Sequence, residues 1–387
     1  MTPINRTKAN HFLTLDCARG IAALAVVCYH AATLGGINYE SFGGYHFFGR
    51  AYLAVDLFFL MSGFVIARAY EARLLSRDMS FGQFACVRLV RLYPLYFLGL
   101  VGGSAWWLAS HDGMPTMAFW SNLALETLFL PQMTDYVREP FFYPLNLVAW
   151  SLGFELAINL AFAAWLVRLP MSTLAILCGL FAILLAFFAG VEGSLDFGFR
   201  PSQLLEGIAR VSASFIAGQI VFRCLEAGLL PRLRIPAGLT LGGLMIFLVA
   251  PAGIIGLPYD LAMVMAVFPG FMIAGCQSEP GPALGWLAEK MGRLSYAIYI
   301  LHVPCIHWAG AAWMGLAGVA ISAFPVLGGA AVGAIVLGIA ALATALYDEP
   351  LRKYLVKWPT LAFRGQRLSL CGPVHTGTPS RPDLATL

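Results

Sequence analysis

Charge is what this sequence lacks. Only 11% of its 387 residues are Asp, Glu, Lys or Arg, while 59% are hydrophobic. A soluble globular domain carries roughly 25% charge. An ordinary soluble enzyme and a disordered chain are therefore excluded. The basic excess is small too, 24 Lys+Arg against 20 Asp+Glu, too little for a nucleic-acid footprint. The eight cysteines contain no C-x-x-C pair and fall mostly in apolar runs, so neither a disulfide framework nor a zinc site is expected. The histidines lack metal-ligand spacing, and no metal is expected. No cleavable leader is expected either, because the first apolar stretch holds Asp16, Arg19 and His30. Neither a 20–50-residue period nor an inverted repeat of the transporter kind is evident.

What is present is a series of long apolar runs. They lie at about 15–34, 51–70, 92–110, 147–167, 171–191, 204–222, 236–255, 259–276, 294–316 and 326–347. Each is long enough, or nearly so, to span a bilayer as a helix. The pattern predicts an all-α integral membrane protein, a bundle of about ten transmembrane helices. A shorter run near 119–130 carries Glu126 and reads as a re-entrant or interfacial segment. With the N-terminus inside, 20 of the 24 Lys+Arg residues fall on the inner side. Only Arg50, Arg138, Arg200 and Arg210 fall outside. That bias follows the positive-inside rule and predicts both termini in the cytoplasm. Residues 1–364 form one membrane domain by this reading. The tail 365–387 has no core pattern and is expected to be disordered.

Ionisable groups inside apolar spans are costly, roughly 2.5–3.5 kcal/mol each, so they mark polar cavities. In the first span Arg19 and His30 are 11 residues apart. They share a helix face at depths about 16 Å apart, and Asp16 is placed to pair with Arg19. Asp56, in the second span, has no local cation. His30 is its expected partner, which would give a carboxylate-oriented base. Ser62-Gly63 suits close helix packing. Arg88 and Arg91 share a face and suit a phosphate ligand. Glu155 is a second unpaired carboxylate and the alternative to Asp56 for orienting His30. Tyr296, Tyr299 and His302 give the ninth span a polar stripe, and Pro304 is expected to kink it. Glu349 and Arg352 are expected to pair. Trp120, Tyr136, Phe141, Phe142 and Tyr143 cluster in the outer segment 111–146, as candidates for sugar stacking or for the interfacial aromatic belt.

The series L-D-x-x-R-G…H, V-D-L-F-F-x-x-S-G-F, R-x-x-R-L-Y-P-x-Y, W-S-L-x-x-E, L-S-Y-x-x-Y-x-x-H-x-P and a closing E-P resembles the acyltransferase-3 family of membrane acyltransferases. Six motifs occur in the family's order across about 15–352. The departures are Cys17-Ala18 and Gly153-Phe154, beside positions that match. The extracytoplasmic hydrolase-like appendage of some members is not seen. The resemblance implies transfer of an acyl group, most often acetyl, from cytoplasmic acyl-CoA to a hydroxyl of a glycan or glycosylated small molecule. It implies His30 as the catalytic histidine and Arg19 as the essential arginine of the same helix. Arg88 and Arg91 fall at the pair linked to acyl-CoA, and Glu155 at the motif glutamate. The expected location is the bacterial inner membrane. An acyl-group feeder for a partner enzyme and a proton-coupled transporter are the competing classes.

Overall fold

The computed structural model describes residues 12–34, 47–110, 116–133, 141–250 and 256–355. The tail 365–387 and Tyr136 lie outside them. Among the described residues there are thirteen α-helices and no strand. In chain order they are α1 (Leu13–Thr33), α2 (Ala54–Leu75), α3 (Phe81–Ser110), α4 (Thr116–Thr127) and α5 (Ala149–Ala164). Then come α6 (Met171–Glu192), α7 (Leu204–Glu226), α8 (Ala237–Val249), α9 (Leu257–Ala262) and α10 (Phe268–Gly275). Last are α11 (Pro282–Ala317), α12 (Pro325–Ala343) and α13 (Glu349–Leu355). π-helical turns at Met263–Val267 and Thr344–Asp348 join α9 to α10 and α12 to α13.

Eight of the resulting units are long and apolar enough to cross a membrane. The expected fourth and seventh spans appear as shorter apolar helices, α5 and α8, of 16 and 13 residues. At 1.5 Å per residue they reach about 24 and 20 Å. Both fall short of a roughly 30 Å hydrocarbon core. The ten or so expected spans thus appear, among the described residues, as eight full-length units and two short apolar helices.

Two groups of helices make the bundle. α11 packs along α1, α3 and α12, and α7 packs along α2 and α6, while α5 touches α2, α3 and α7. Close crossing of α2 and α7 depends on Gly63. A Cβ there would stand 2.0 Å from the Phe215 carbonyl oxygen, which is steric overlap. The packing expected of Ser62-Gly63 is realised at Gly63. In contrast, α6 buries only Leu174, Leu185 and Ala189, as a helix facing lipid should.

α4, the short helix expected near 119–130, is tied into the bundle at its end. Glu126 is fully buried and accepts the Leu145 backbone N–H at 3.0 Å. The last carbonyls of a helix have no intrahelical partner. Here tyrosine hydroxyls supply them: Tyr93 donates to Thr127 O at 2.7 Å and Tyr96 to Glu126 O at 2.6 Å. Pro304 lies inside α11, and its missing N–H leaves the Ile300 carbonyl without a helical donor. Asn146 Nδ2 donates to that carbonyl at 3.1 Å.

Candidate functional site

α1 and α11 run parallel, because the contacts between them advance together along both chains. Arg19 on α1 donates to Ser295 Oγ at 3.0 Å and to the Gly292 carbonyl at 3.2 Å. Three turns further along α1, His30 meets His302. Glycines permit the approach. A Cβ on Gly292 would stand 2.6 Å from the Asp16 Cβ, and one on Gly20 2.5 Å from the Met291 Cβ. The expected Asp16–Arg19 pair forms, at 2.8 Å.

Between α1, α2, α3, α5, α11 and α13 lies a cavity of about 560 Å³. The end at which α1 starts is arginine-rich. Arg19, Arg88, Arg91 and Arg352 all line the cavity there. Arg88 donates to Glu155 Oε1 at 3.0 Å, and Ser62 donates to the same oxygen at 3.0 Å. Arg352 pairs with Asp348 at 2.6 Å. Arg91 has no carboxylate within 4 Å among the described residues; its guanidinium stands 5.9 Å from the Tyr296 ring centroid. Buried Nε atoms of Arg88 and Arg352 have no hydrogen-bond partner. Buried donors left unpaired are costly. The wall therefore holds three cations balanced by carboxylates, a fourth that is not, and two orphan N–H groups. An anion with several acceptor oxygens would satisfy them.

Tyr299 and Ser151 stand at the far part of the cavity wall, 2.7 Å apart through their hydroxyls. Behind them sits the histidine pair. The Tyr299 ring lies 5.9 Å from that of His302. His302 Nε2 is 3.0 Å from His30 Nδ1. Neither histidine lines the cavity itself.

The structure corrects the partners expected for the two carboxylates. Asp56 does not touch His30. Its carboxylate takes both oxygens to Arg210, with Nε at 3.0 and 3.1 Å and a terminal nitrogen at 2.8 Å. Arg210 also donates to the carbonyls of Phe197 at 2.8 Å and Tyr52 at 3.0 Å, and lies 5.6 Å from the Trp150 ring centroid. Glu155 does not orient His30 either; it binds Arg88 and Ser62. The expected Glu349–Arg352 pair is replaced by Arg293–Glu349, at 2.5 Å, and Asp348–Arg352. Asp348 lies four residues before Arg352, the favourable i,i+4 spacing. Phe142 and Tyr143 are buried and unavailable to a sugar, whereas Trp120 is exposed.

Of the residues the sequence singles out, the structure brings Arg19, Arg88, Arg91, Glu155 and Tyr299 to one cavity, and His30 with His302 beside it. Sequence reasoning missed Arg352 in the wall and Arg210 as the partner of Asp56. A signal existed for Arg210: a cation two turns inside an apolar span needs a partner as much as Asp56 does.

Such an arrangement defines a class: an all-helical membrane protein with a cationic cavity at one end and a buried imidazole pair deeper in. The comparisons narrow it. The family model for Acyl_transf_3, described as an acyltransferase domain, matches residues 12–345. The chain belongs to this acyltransferase family. It is 35% identical over 206 residues to "Protein 2 in picA locus" of Rhizobium radiobacter, covering 47% of this chain and 96% of that protein. It is 27% identical to the exopolysaccharide production protein ExoZ of Rhizobium meliloti (strain 1021), over 68% of this chain and 78% of the relative. It is 25% identical to the acyltransferase MdmB of Streptomyces mycarofaciens, over 96% of this chain and 97% of the relative. No solved structure matches the chain.

Proposed function

We propose that this chain is a membrane O-acyltransferase. It takes an acyl group, acetyl in the simplest case, from acyl-CoA and passes it to a hydroxyl of a glycan or glycosylated small molecule. The observation that carries the reading is the arginine-walled cavity ending at Tyr299, against the His30–His302 pair. Coenzyme A bears a phosphate and a pyrophosphate on a long thin arm. The phosphates bind Arg88, Arg91 and Arg352 at the mouth, with Arg19 on the adjacent wall. The arm runs inward, and the depth from Arg19 to His30, about 16 Å along α1, suits its length.

His30 takes the proton of the acceptor hydroxyl as its oxygen attacks the thioester carbonyl. The carbon–sulfur bond breaks, and the thiolate leaves with the proton that His30 had taken. Glu155 holds Arg88 in the cavity wall. The acceptor approaches from the end opposite the arginines, where exposed Trp120 offers an aromatic face. The charge bias of the sequence supports a reading in which the arginine-rich end faces the cytoplasm of a bacterial inner membrane. The sugar-bearing acceptor is in keeping with the name of one relative, an exopolysaccharide production protein.

The test is acyl transfer in proteoliposomes. Labelled acetyl-CoA is supplied on the Arg88 side with a pooled glycan acceptor. Wild type should release CoA and label the glycan, and His30→Ala should do neither while still binding acetyl-CoA. Failure of wild type to bind acetyl-CoA would overturn the reading. Binding without transfer would return the chain to the feeder class.

A further inference from the structure

His30 is held by another imidazole rather than by a carboxylate, and the hydrogen bonds fix where its proton sits. His302 is fully buried. Its Nδ1 lies 2.6 Å from the Tyr299 carbonyl oxygen. A carbonyl only accepts, so this nitrogen carries the proton. A neutral imidazole has one donor and one acceptor nitrogen, which leaves His302 Nε2 as the acceptor. That atom faces His30 Nδ1 at 3.0 Å. His30 Nδ1 also faces the Val26 carbonyl oxygen at 3.2 Å. Two acceptors converge on one nitrogen, so His30 Nδ1 must be the donor. The tautomer follows from the network. His30 Nε2 then bears the lone pair, and among the described residues it makes no hydrogen bond.

We propose that His302 is the positioning residue for His30, selecting the tautomer whose Nε2 lone pair meets the acceptor hydroxyl. The proposal rests on the acyltransferase reading above and adds what sets the base. In this chain the place an orienting carboxylate takes in a catalytic triad is taken by a neutral ring. Both carboxylates that sequence reasoning offered for that place are occupied by arginines. A neutral partner suits a site at membrane depth, where a resting ion is costly. When His30 gains the acceptor's proton, Nδ1–H keeps its bond to His302, and the Tyr299 carbonyl polarises the chain from behind. No proton passes through His302.

The test compares wild type, His30→Ala, His302→Leu and His302→Gln by steady-state acetyl transfer and acetyl-CoA binding. Leucine removes the acceptor facing His30, whereas glutamine restores one near the former Nε2. His302→Leu should lower kcat about 100-fold or more, within the usual range for a positioned base, with the KM for acetyl-CoA within about twofold. His302→Gln should recover at least about tenfold of that loss. A purely structural role would leave Leu and Gln alike, and that result overturns the proposal. So does a His302→Leu enzyme as active as wild type, while the acyltransferase reading stands provided His30→Ala is inactive. If His30→Ala retains full activity, both fall. A second measurement needs no His302 variant: ring ¹⁵N spectra of the wild-type protein, with His30 assigned from a His30→Asn sample. A protonated Nδ1 and bare Nε2 are expected; a protonated Nε2 in neutral His30 overturns the proposal.

Discussion

Arg210–Asp56 and Arg88–Glu155, two of the arginine–carboxylate pairs inside this bundle, are built differently. Arg210 and Asp56 are both about 1% exposed. Arg210 spends its donors on both Asp56 oxygens and on two backbone carbonyls, over an indole face. Arg88 makes one bond to Glu155 and leaves its buried Nε without a partner. The first pair is saturated and ties α2, α7 and the Phe197 segment together. The second is unsaturated and opens on a cavity. The two pairs differ in burial and in completeness of hydrogen bonding, and on the proposed reading the open one meets the ligand.

The sharpest way to break this contrast is to remove one member of the saturated pair. Arg210→Met should leave Asp56 buried and unpaired, costing about 3–5 kcal/mol, seen as a large fall in apparent Tm in detergent. The double variant Asp56→Leu/Arg210→Met should regain most of that loss. A single variant as stable as wild type would show that the pair does not hold the fold. Gly63→Val comes next. Its side chain meets the Phe215 carbonyl, and overpacking of this kind costs about 1–3 kcal/mol, again read as Tm.

The unsaturated end should respond in binding instead. Arg91→Gln, at a cation without a carboxylate partner, should raise the apparent acetyl-CoA constant about tenfold, or 1.4 kcal/mol, with Tm unchanged. High salt should weaken wild-type acetyl-CoA binding in the same direction. An unaltered constant would remove the phosphate assignment. The smallest expected effect is Tyr96→Phe. It deprives the Glu126 carbonyl of one of two donors, the Phe129 N–H remaining, and should cost about 1 kcal/mol, detectable as a modest Tm shift without loss of transfer.

Much of this was legible in the residues. The apolar runs fixed where helices form, since a chain in lipid satisfies its backbone only as helix or closed barrel. Asp16 and Arg19, one turn apart, pair as their spacing requires. Arg88 and Arg91 lie on one helical face because they are three residues apart, and that face lines the cavity. His30 and His302 were both singled out as buried polar groups, yet not as each other's partner. They are 272 residues apart, and local periodicity carries no information across that interval.

Partner choice was therefore the tertiary structure's contribution. A lone carboxylate in an apolar span announces only that a cation or donor must come from elsewhere. For Asp56 the two polar groups in reach of that argument were His30 and Arg210, and the packing of α2 on α7 selected Arg210. The parallel packing of α1 on α11, permitted by Gly20 and Gly292, brought His302 to His30 instead. Arg293 of α11 takes Glu349, and Arg352 pairs with Asp348 instead. Sequence by itself determined the helices, the place of each polar group along its helix and the membrane class, because these depend on hydrophobicity and a fixed rise per residue. Which charge neutralises which, and therefore which arginines remain open to a ligand, depends on interhelical distances of a few ångströms, and only the folded bundle sets those.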